Sequence, residues 1–207
     1  MQMSPHHRDT LHDLLQWRRD VRHFLPDPVD PTAMVRLRRA MDLAPSVGNS
    51  RPWRVIEVAS PAVRSAIIAN FETANTVAAA IYDADRQQDY LALKLAGLRD
   101  APVHLAVFTA ADPDEGHGLG RQSMPEMLTY STVCAIHTLW LAARAENLGL
   151  GWVSILDPLA VARALDVPDH WHLTGYLCLG KAAQDDDTPL LHRTDWQQNT
   201  GSHWVKR

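Results

Sequence analysis

Three arginines and one aspartate fall within the five residues Arg18-Arg19-Asp20-Val21-Arg22, between Trp17 and Phe24. Guanidinium groups packed that densely require an anion, and arginine's planar fork of donors suits two-point capture of a phosphoryl group. The structural alternative is a solvated basic patch at a helix end. Asp20 argues against it, because a carboxylate inside an arginine cluster is either an ion pair or a group held in place for chemistry. A second stretch, Pro45-Ser46-Val47-Gly48-Asn49-Ser50-Arg51-Pro52-Trp53, is dense in turn formers and hydrogen-bonding side chains. Such a loop can line a polar ligand, or simply join a helix to a strand.

Other chemistry-bearing residues carry less. His170 and His172 would share one face of a strand, but no carboxylate or third histidine stands at ligand spacing, so no metal site is expected. Gly116-x-Gly118-x-Gly120 lacks the spacing and the strand-to-helix context of a dinucleotide fingerprint. His104, inside an apolar run, reads as a satisfied core or edge histidine. Cys134 and Cys178 sit among apolar neighbours and read as reduced core residues. Asp185-Asp186-Asp187 reads as a solvated loop.

The elements that must position these residues follow from periodicity and punctuation. A first helix is expected over 8–19, leading into the arginine cluster and a turn rich in proline (Pro26, Pro28, Pro31). Asp30 caps a second helix with Pro31 at its first position and a stripe of Met34, Leu37, Ala40, Met41 and Ala44, ending at Pro45. A strand is expected from Trp53 to Val58. Residues 61–101 read as helical, interrupted by the polar segment Asp83 to Asp89, long enough to be an excursion over a site or an ordinary helical hairpin. Val103 to Ala110 is a continuous apolar strand. Ser123-Met124-Pro125-Glu126 has the form of a capping box, and the helix it opens runs to about Asn147, closed by Gly149. That helix is apolar nearly all round, which places it at the centre of the domain or in a dimer interface. Gly151 to Leu156 and Trp171 to Gly180 read as buried strands, with a short helix near Leu159 to Leu165 between them. The tail from Leu191 to Trp196 has too few apolar positions to form a core element and is expected to wrap over the domain or a partner.

With 207 residues, 46% of them hydrophobic, the chain can bury one sizeable core as a single domain over 1–207. A net charge of −4 without a lysine or arginine block argues against nucleic acid as partner. The N-terminal residues hold no signal-peptide core and no run reaches the ~20 apolar residues of a membrane span, so a cytoplasmic protein with a small ligand is expected.

In order, the chain reads Arg-Arg-Asp-Val-Arg-x-Phe, Ala-Pro-Ser-Val-Gly-Asn-Ser-Arg-Pro-Trp, a long buried helix, then Gly-Leu-Gly-Trp-Val-Ser-Ile-Leu. From about Leu14 to Trp196 it resembles the FMN-dependent nitroreductase superfamily and, within it, the 5,6-dimethylbenzimidazole synthase (BluB) family. An aspartate inside the first arginine cluster, together with Gly120 to Leu128 and Gly151 to Leu156, carries the narrower resemblance.

The resemblance implies an α+β, nitroreductase-like fold, an antiparallel-rich sheet flanked by helices, in an intertwined homodimer with FMN sites at the interface. It implies a lid-like helical segment at about 83–98 and a wrapping tail at about 188–207. By motif position, Arg18 and Arg19 would hold the FMN phosphate and ribityl region, with Val21 among the binding residues and Arg22 at the pyrimidine edge. Ser46 would contact the ring system and Arg193 would reach the phosphate. Arg51 stands where the superfamily commonly has glutamine. The implied reaction consumes reduced FMN with dioxygen, giving 5,6-dimethylbenzimidazole and erythrose 4-phosphate. Asp20 would act as base or orient a ribityl hydroxyl, and Ser154 would hydrogen-bond near the reacting ring. A separate NAD(P)H-dependent flavin reductase would supply reduced FMN. The competing expectations are a conventional NAD(P)H-dependent FMN nitroreductase or flavin reductase, and a non-catalytic flavin-binding or delivery protein.

Overall fold

The computed structural model describes residues 1–93 and 97–207. Lys94 to Ala96, part of the segment expected to be lid-like at about 83–98, lie outside the described residues. In chain order the helices are α1 (Pro5–Trp17), α2 (Pro31–Met41), α3 (Pro61–Ala79), α4 (Ala84–Ala92), α5 (Met127–Ala145), α6 (Pro158–Ala164) and α7 (Leu190–Arg193). The strands are β1 (Trp53–Glu57), β2 (Val103–Ala110), β3 (Gly149–Val153) and β4 (Trp171–Gly180). They form an antiparallel sheet of order β1-β2-β4-β3.

Both faces of the sheet are covered, and the strand sequences say why. Leu105 and Val107 of β2, with Leu177 and Leu179 of β4, point to one side and pack with Leu37 and Met41 of α2 and Ile136 and Leu139 of α5. Ala106 and Phe108, with Tyr176 and Cys178, point to the other and pack with Ile67 of α3 and Val161 of α6. Strands buried on both faces lose the alternation of a half-exposed strand. The central pair, β2 and β4, therefore reads as apolar runs with few polar residues, covering most of β2 and the buried second half of β4 (175–180).

The fold agrees with the α+β expectation and corrects several local ones. The expected break in the helical region is present, but it falls at 80–83, and most of the polar segment is helical: Asp83 caps α4 by accepting from the Arg86 N–H at 2.9 Å. The Ser123 box does not form, and α5 begins at Met127. Pro125 disfavours helical backbone at Met124, and the entrance is made instead by turns from Met127 N–H to Met124 C=O and from Leu128 N–H to Pro125 C=O. At the other end Asn147, not Gly149, takes the left-handed position (φ 56°), and Gly149 already belongs to β3. Helix α5 buries one stripe and leaves Tyr130, Val133 and Cys134 exposed, so of the two cysteines only Cys178 is in the core. Among the described residues no helix is long and apolar enough to cross a membrane, and no group of three or more His, Cys, Asp or Glu side chains is placed to hold a metal ion.

His104 is 1% exposed, and its Nδ1 lies 3.0 Å from the Tyr176 hydroxyl. Burial, reinforced by the Arg64 charge, pushes its pKa down to about 4 from 6.5. Because the folded value is the lower one, the unfolded chain takes up a proton first as pH falls. The stability held above pH 6.5 is therefore lost progressively down to pH 4, on the order of 3 kcal/mol. Urea unfolding at pH 7.5 and 4.5 should show a steeper acid loss for the native chain than for His104→Gln; equal losses would contradict this.

Candidate functional site

The arginine cluster is not helical. Helix α1 stops at Trp17, short of the expected 19, and Arg18 at its end is already extended (φ −73°, ψ 108°). The chain then runs beside β3: Asp20 pairs with Leu150 in a parallel bridge, and the Val21 N–H donates to the Leu150 carbonyl at 3.1 Å. Two glycines make this approach possible. A Cβ on Gly151 would stand 2.1 Å from the Val21 carbonyl oxygen, and one on Gly149 would stand 2.6 Å from Val21 Cγ2. Phe24 then anchors the segment in the core at 5% exposure, a burial worth roughly 1.5–3 kcal/mol.

Extended backbone pinned at both ends presents Arg18 to Arg22 along a cleft of about 790 Å3. Its walls are Ala92 at the end of α4 with Leu93 just beyond it, Trp140 and Arg144 of α5, Leu148 to Leu150, and most of the segment from Ala183 to Arg193. The volume is that of a site for a cofactor-sized molecule, typically ~300–1,000 Å3. The structure thus brings together Arg18, Arg19, Asp20, Val21, Arg22 and Arg193. Ser46 and Ser154 stand outside this cleft. Ser46 lies before the short turn Val47–Asn49, where its hydroxyl accepts from the Arg51 N–H at 3.0 Å. Ser154 is exposed just beyond β3, and its carbonyl accepts from the Leu156 N–H.

The cations of the cleft are not equivalent. Arg18 lies over the Trp140 ring at 4.9 Å, and Arg19 donates from Nη2 to the Leu15 carbonyl at 3.0 Å. The Nε atoms of both are buried and have no hydrogen-bond partner among the described residues. Burial first, and the Arg18 charge second, lower the Arg19 pKa. Two adjacent, partly buried guanidinium groups, each with an unspent Nε donor, fit a phosphate, which supplies both charge and acceptors. Arg22 Nε instead donates to Asp20 Oδ2 at 3.2 Å and its Nη1 reaches the Leu93 carbonyl at 3.5 Å. The other Asp20 oxygen accepts from the Trp152 N–H at 2.9 Å. The carboxylate is thereby fixed at both oxygens, yet 37% of the side chain stays accessible.

The Asp185 to Asp187 loop is not simply solvated. Asp185 pairs with Arg144 at 2.7 Å, Asp186 with Arg193 at 2.9 Å, and Asp187 accepts from Gln16 at 3.2 Å. Two of these aspartates thus pair with the rim arginines Arg144 and Arg193, whereas Arg18 and Arg19 have no carboxylate partner among the described residues.

Sequence reading missed Trp140, Arg144, Gly149 and Gly151 as site residues. Trp140 also donates from Nε1 to the Arg19 carbonyl at 3.1 Å, so it holds both backbone and side chain of the cluster. The signal was present: Trp140 and Arg144 are four apart on a helix, and Gly149-Leu150-Gly151 puts two glycines on one face of a strand.

Comparison with known proteins bears on the whole chain. Two proteins named 5,6-dimethylbenzimidazole synthase are similar along its full length: one from Rhodobacter capsulatus is 56% identical over 207 residues, covering 100% of both chains. One from Rhodospirillum rubrum is 52% identical over 204 residues, covering 99% of this chain and 97% of its own. Among solved structures, iodotyrosine deiodinase bound to FMN and 3-iodo-L-tyrosine superposes with a TM-score of 0.73 at 19% identity, covering 95% of this chain and 97% of that one. A nitroreductase family protein from Clostridium novyi gives 0.64 at 16% identity, covering 83% and 84%. The family model described as "Nitroreductase family" matches residues 15–181, spanning the arginine segment, the sheet and α5, and the chain belongs to the nitroreductase family.

Proposed function

We propose that this chain is a 5,6-dimethylbenzimidazole synthase, fragmenting reduced FMN with dioxygen to 5,6-dimethylbenzimidazole and erythrose 4-phosphate, with the pyrimidine portion of the flavin released as a separate fragment. The observation that carries the reading is identity of 52–56% along the full chain to proteins of that name. The cleft supports it independently, because it offers buried, unspent arginine donors beside a carboxylate held at both oxygens. Bound reduced flavin supplies the electrons for dioxygen.

Arg18 and Arg19 take the phosphate, with Arg193 closing from the tail. Arg22 places positive charge at the pyrimidine edge, where it offsets charge on a reduced ring. Asp20 moves or orients a proton of the ribityl chain, and its two hydrogen bonds hold it ready for that role. Leu93, Leu190 and Leu191 line the cleft with apolar surface and restrict bulk water there. Val21 contributes through its backbone, which spaces Asp20 and Arg22 along β3.

A second copy of the chain completes the site. Ser46 and Ser154, which stand outside the cleft of their own chain, act on the ring system in a homodimer, and the exposed Tyr130 and Val133 of α5 supply apolar surface for it. The protein works in the cytoplasm, with a separate NAD(P)H-dependent flavin reductase delivering reduced FMN. No nicotinamide site is required.

The test is aerobic incubation with excess FMN, NADPH and an added flavin reductase, followed by mass spectrometry for 5,6-dimethylbenzimidazole. Product is expected only when the reductase is present. Rapid NADPH oxidation by the chain alone, with FMN intact and a nitro compound or quinone reduced, would overturn the reading.

A further inference from the structure

We infer that Trp196 is a positioning residue for the cleft: it clamps the C-terminal tail onto α4, and so holds two of the cleft walls in register. The consequence for turnover rests on the synthase reading, whereas the clamp itself rests on geometry alone.

The two elements it joins are weakly anchored. Helix α4 has 9 residues, with Tyr90 its one buried residue, and helices so short are marginal without tertiary support. The tail is looser still. From residue 193 to 207, Trp196 is the one position that is not exposed.

At Trp196 the two elements meet. Its ring packs edge-on against Tyr82 at 5.5 Å and an interplanar angle of 83°, and lies tilted against Tyr90 at 6.3 Å. Arg86 of α4 covers its face at 4.2 Å and also donates to its carbonyl at 3.0 Å. One arginine thus grips ring and backbone together, while Tyr90 is tied to α3 through Asn75 at 2.7 Å. Three residues before Trp196 is Arg193, and one residue beyond α4 is Leu93, whose carbonyl accepts from Arg22. Both line the cleft. Releasing the clamp therefore frees a phosphate-side cation and the wall beside the Asp20–Arg22 pair at once.

Trp196→Ala and Trp196→Phe in the full chain test this, with hydrogen–deuterium exchange of the flavin-free protein as first readout. Trp196→Ala should speed exchange in peptides from 84–92 by about tenfold or more while β2 and β4 keep native protection, and Trp196→Phe should restore most of the difference. The second readout is the fate of reduced FMN. With water admitted, more of it should be reoxidised by dioxygen to FMN and hydrogen peroxide, lowering the yield of 5,6-dimethylbenzimidazole per flavin oxidised by about fivefold. Unchanged exchange in α4, or exchange raised equally across the sheet, overturns the clamp. If the native chain makes no 5,6-dimethylbenzimidazole, the synthase reading fails while the exchange readout still decides the clamp.

Discussion

Asp20→Asn should lower formation of 5,6-dimethylbenzimidazole by at least about 100-fold while FMN affinity changes by no more than about threefold. The carboxylate accepts at both oxygens, from the Trp152 N–H at 2.9 Å and from Arg22 Nε at 3.2 Å. Asparagine reproduces the shape but can accept at only one of its two ends. If its oxygen faces Trp152, its amide nitrogen is turned towards another donor on Arg22, and the pair separates. The variant thus removes the proton acceptor and frees Arg22 in one substitution. Phosphate capture depends on other groups, since Arg18 and Arg19 are fixed by Trp140 and by the Leu15 carbonyl. Product yield by mass spectrometry and FMN affinity by fluorescence titration separate the two effects. An Asp20→Asn variant that makes product at the native rate would leave Asp20 as an ion pair and nothing more.

The Asp20 neighbourhood also marks where sequence was informative and where it was not. The arginine cluster was legible because its residue types are contiguous and their chemistry is local. The apolar runs of β2 and β4 were legible because burial on both faces leaves a continuous signature. What was not legible depends on register. Trp152 contributes its backbone N–H to Asp20, and no residue type announces a backbone donor. Gly149 and Gly151 matter because Val21 happens to lie against them. The Ser123 box failed because a local pattern was read without the effect of Pro125 on Met124. Asp185 to Asp187 were misread for the opposite reason: an acidic run is usually solvated, and only the fold brings Arg144 and Arg193 to meet it.

That acidic loop decides which arginine should matter most for the phosphate. Arg193 is already paired with Asp186 at 2.9 Å and is 46% exposed, so an incoming phosphate must share it or displace the aspartate. Arg19 has no such competitor in contact; its Nε is buried and unpartnered among the described residues, and its pKa is lowered chiefly by burial. Arg19→Met should therefore weaken FMN binding by about 10- to 100-fold, the value of one to two charge-assisted hydrogen bonds. Riboflavin, which lacks the phosphate, should bind within about twofold of native. The stability of the flavin-free protein should move the other way. Methionine fills similar space without a partly buried charge beside Arg18, so the flavin-free Tm should hold or rise, whereas the rise in Tm on adding FMN should shrink. At saturating ligand a tenfold loss of affinity removes about 1.4 kcal/mol of that stabilisation. Calorimetric titration with both flavins and thermal unfolding with and without FMN give the four quantities. Equal weakening towards FMN and riboflavin, or a flavin-free Tm lowered by several degrees, would make Arg19 a structural residue and move phosphate capture to Arg18 and Arg193.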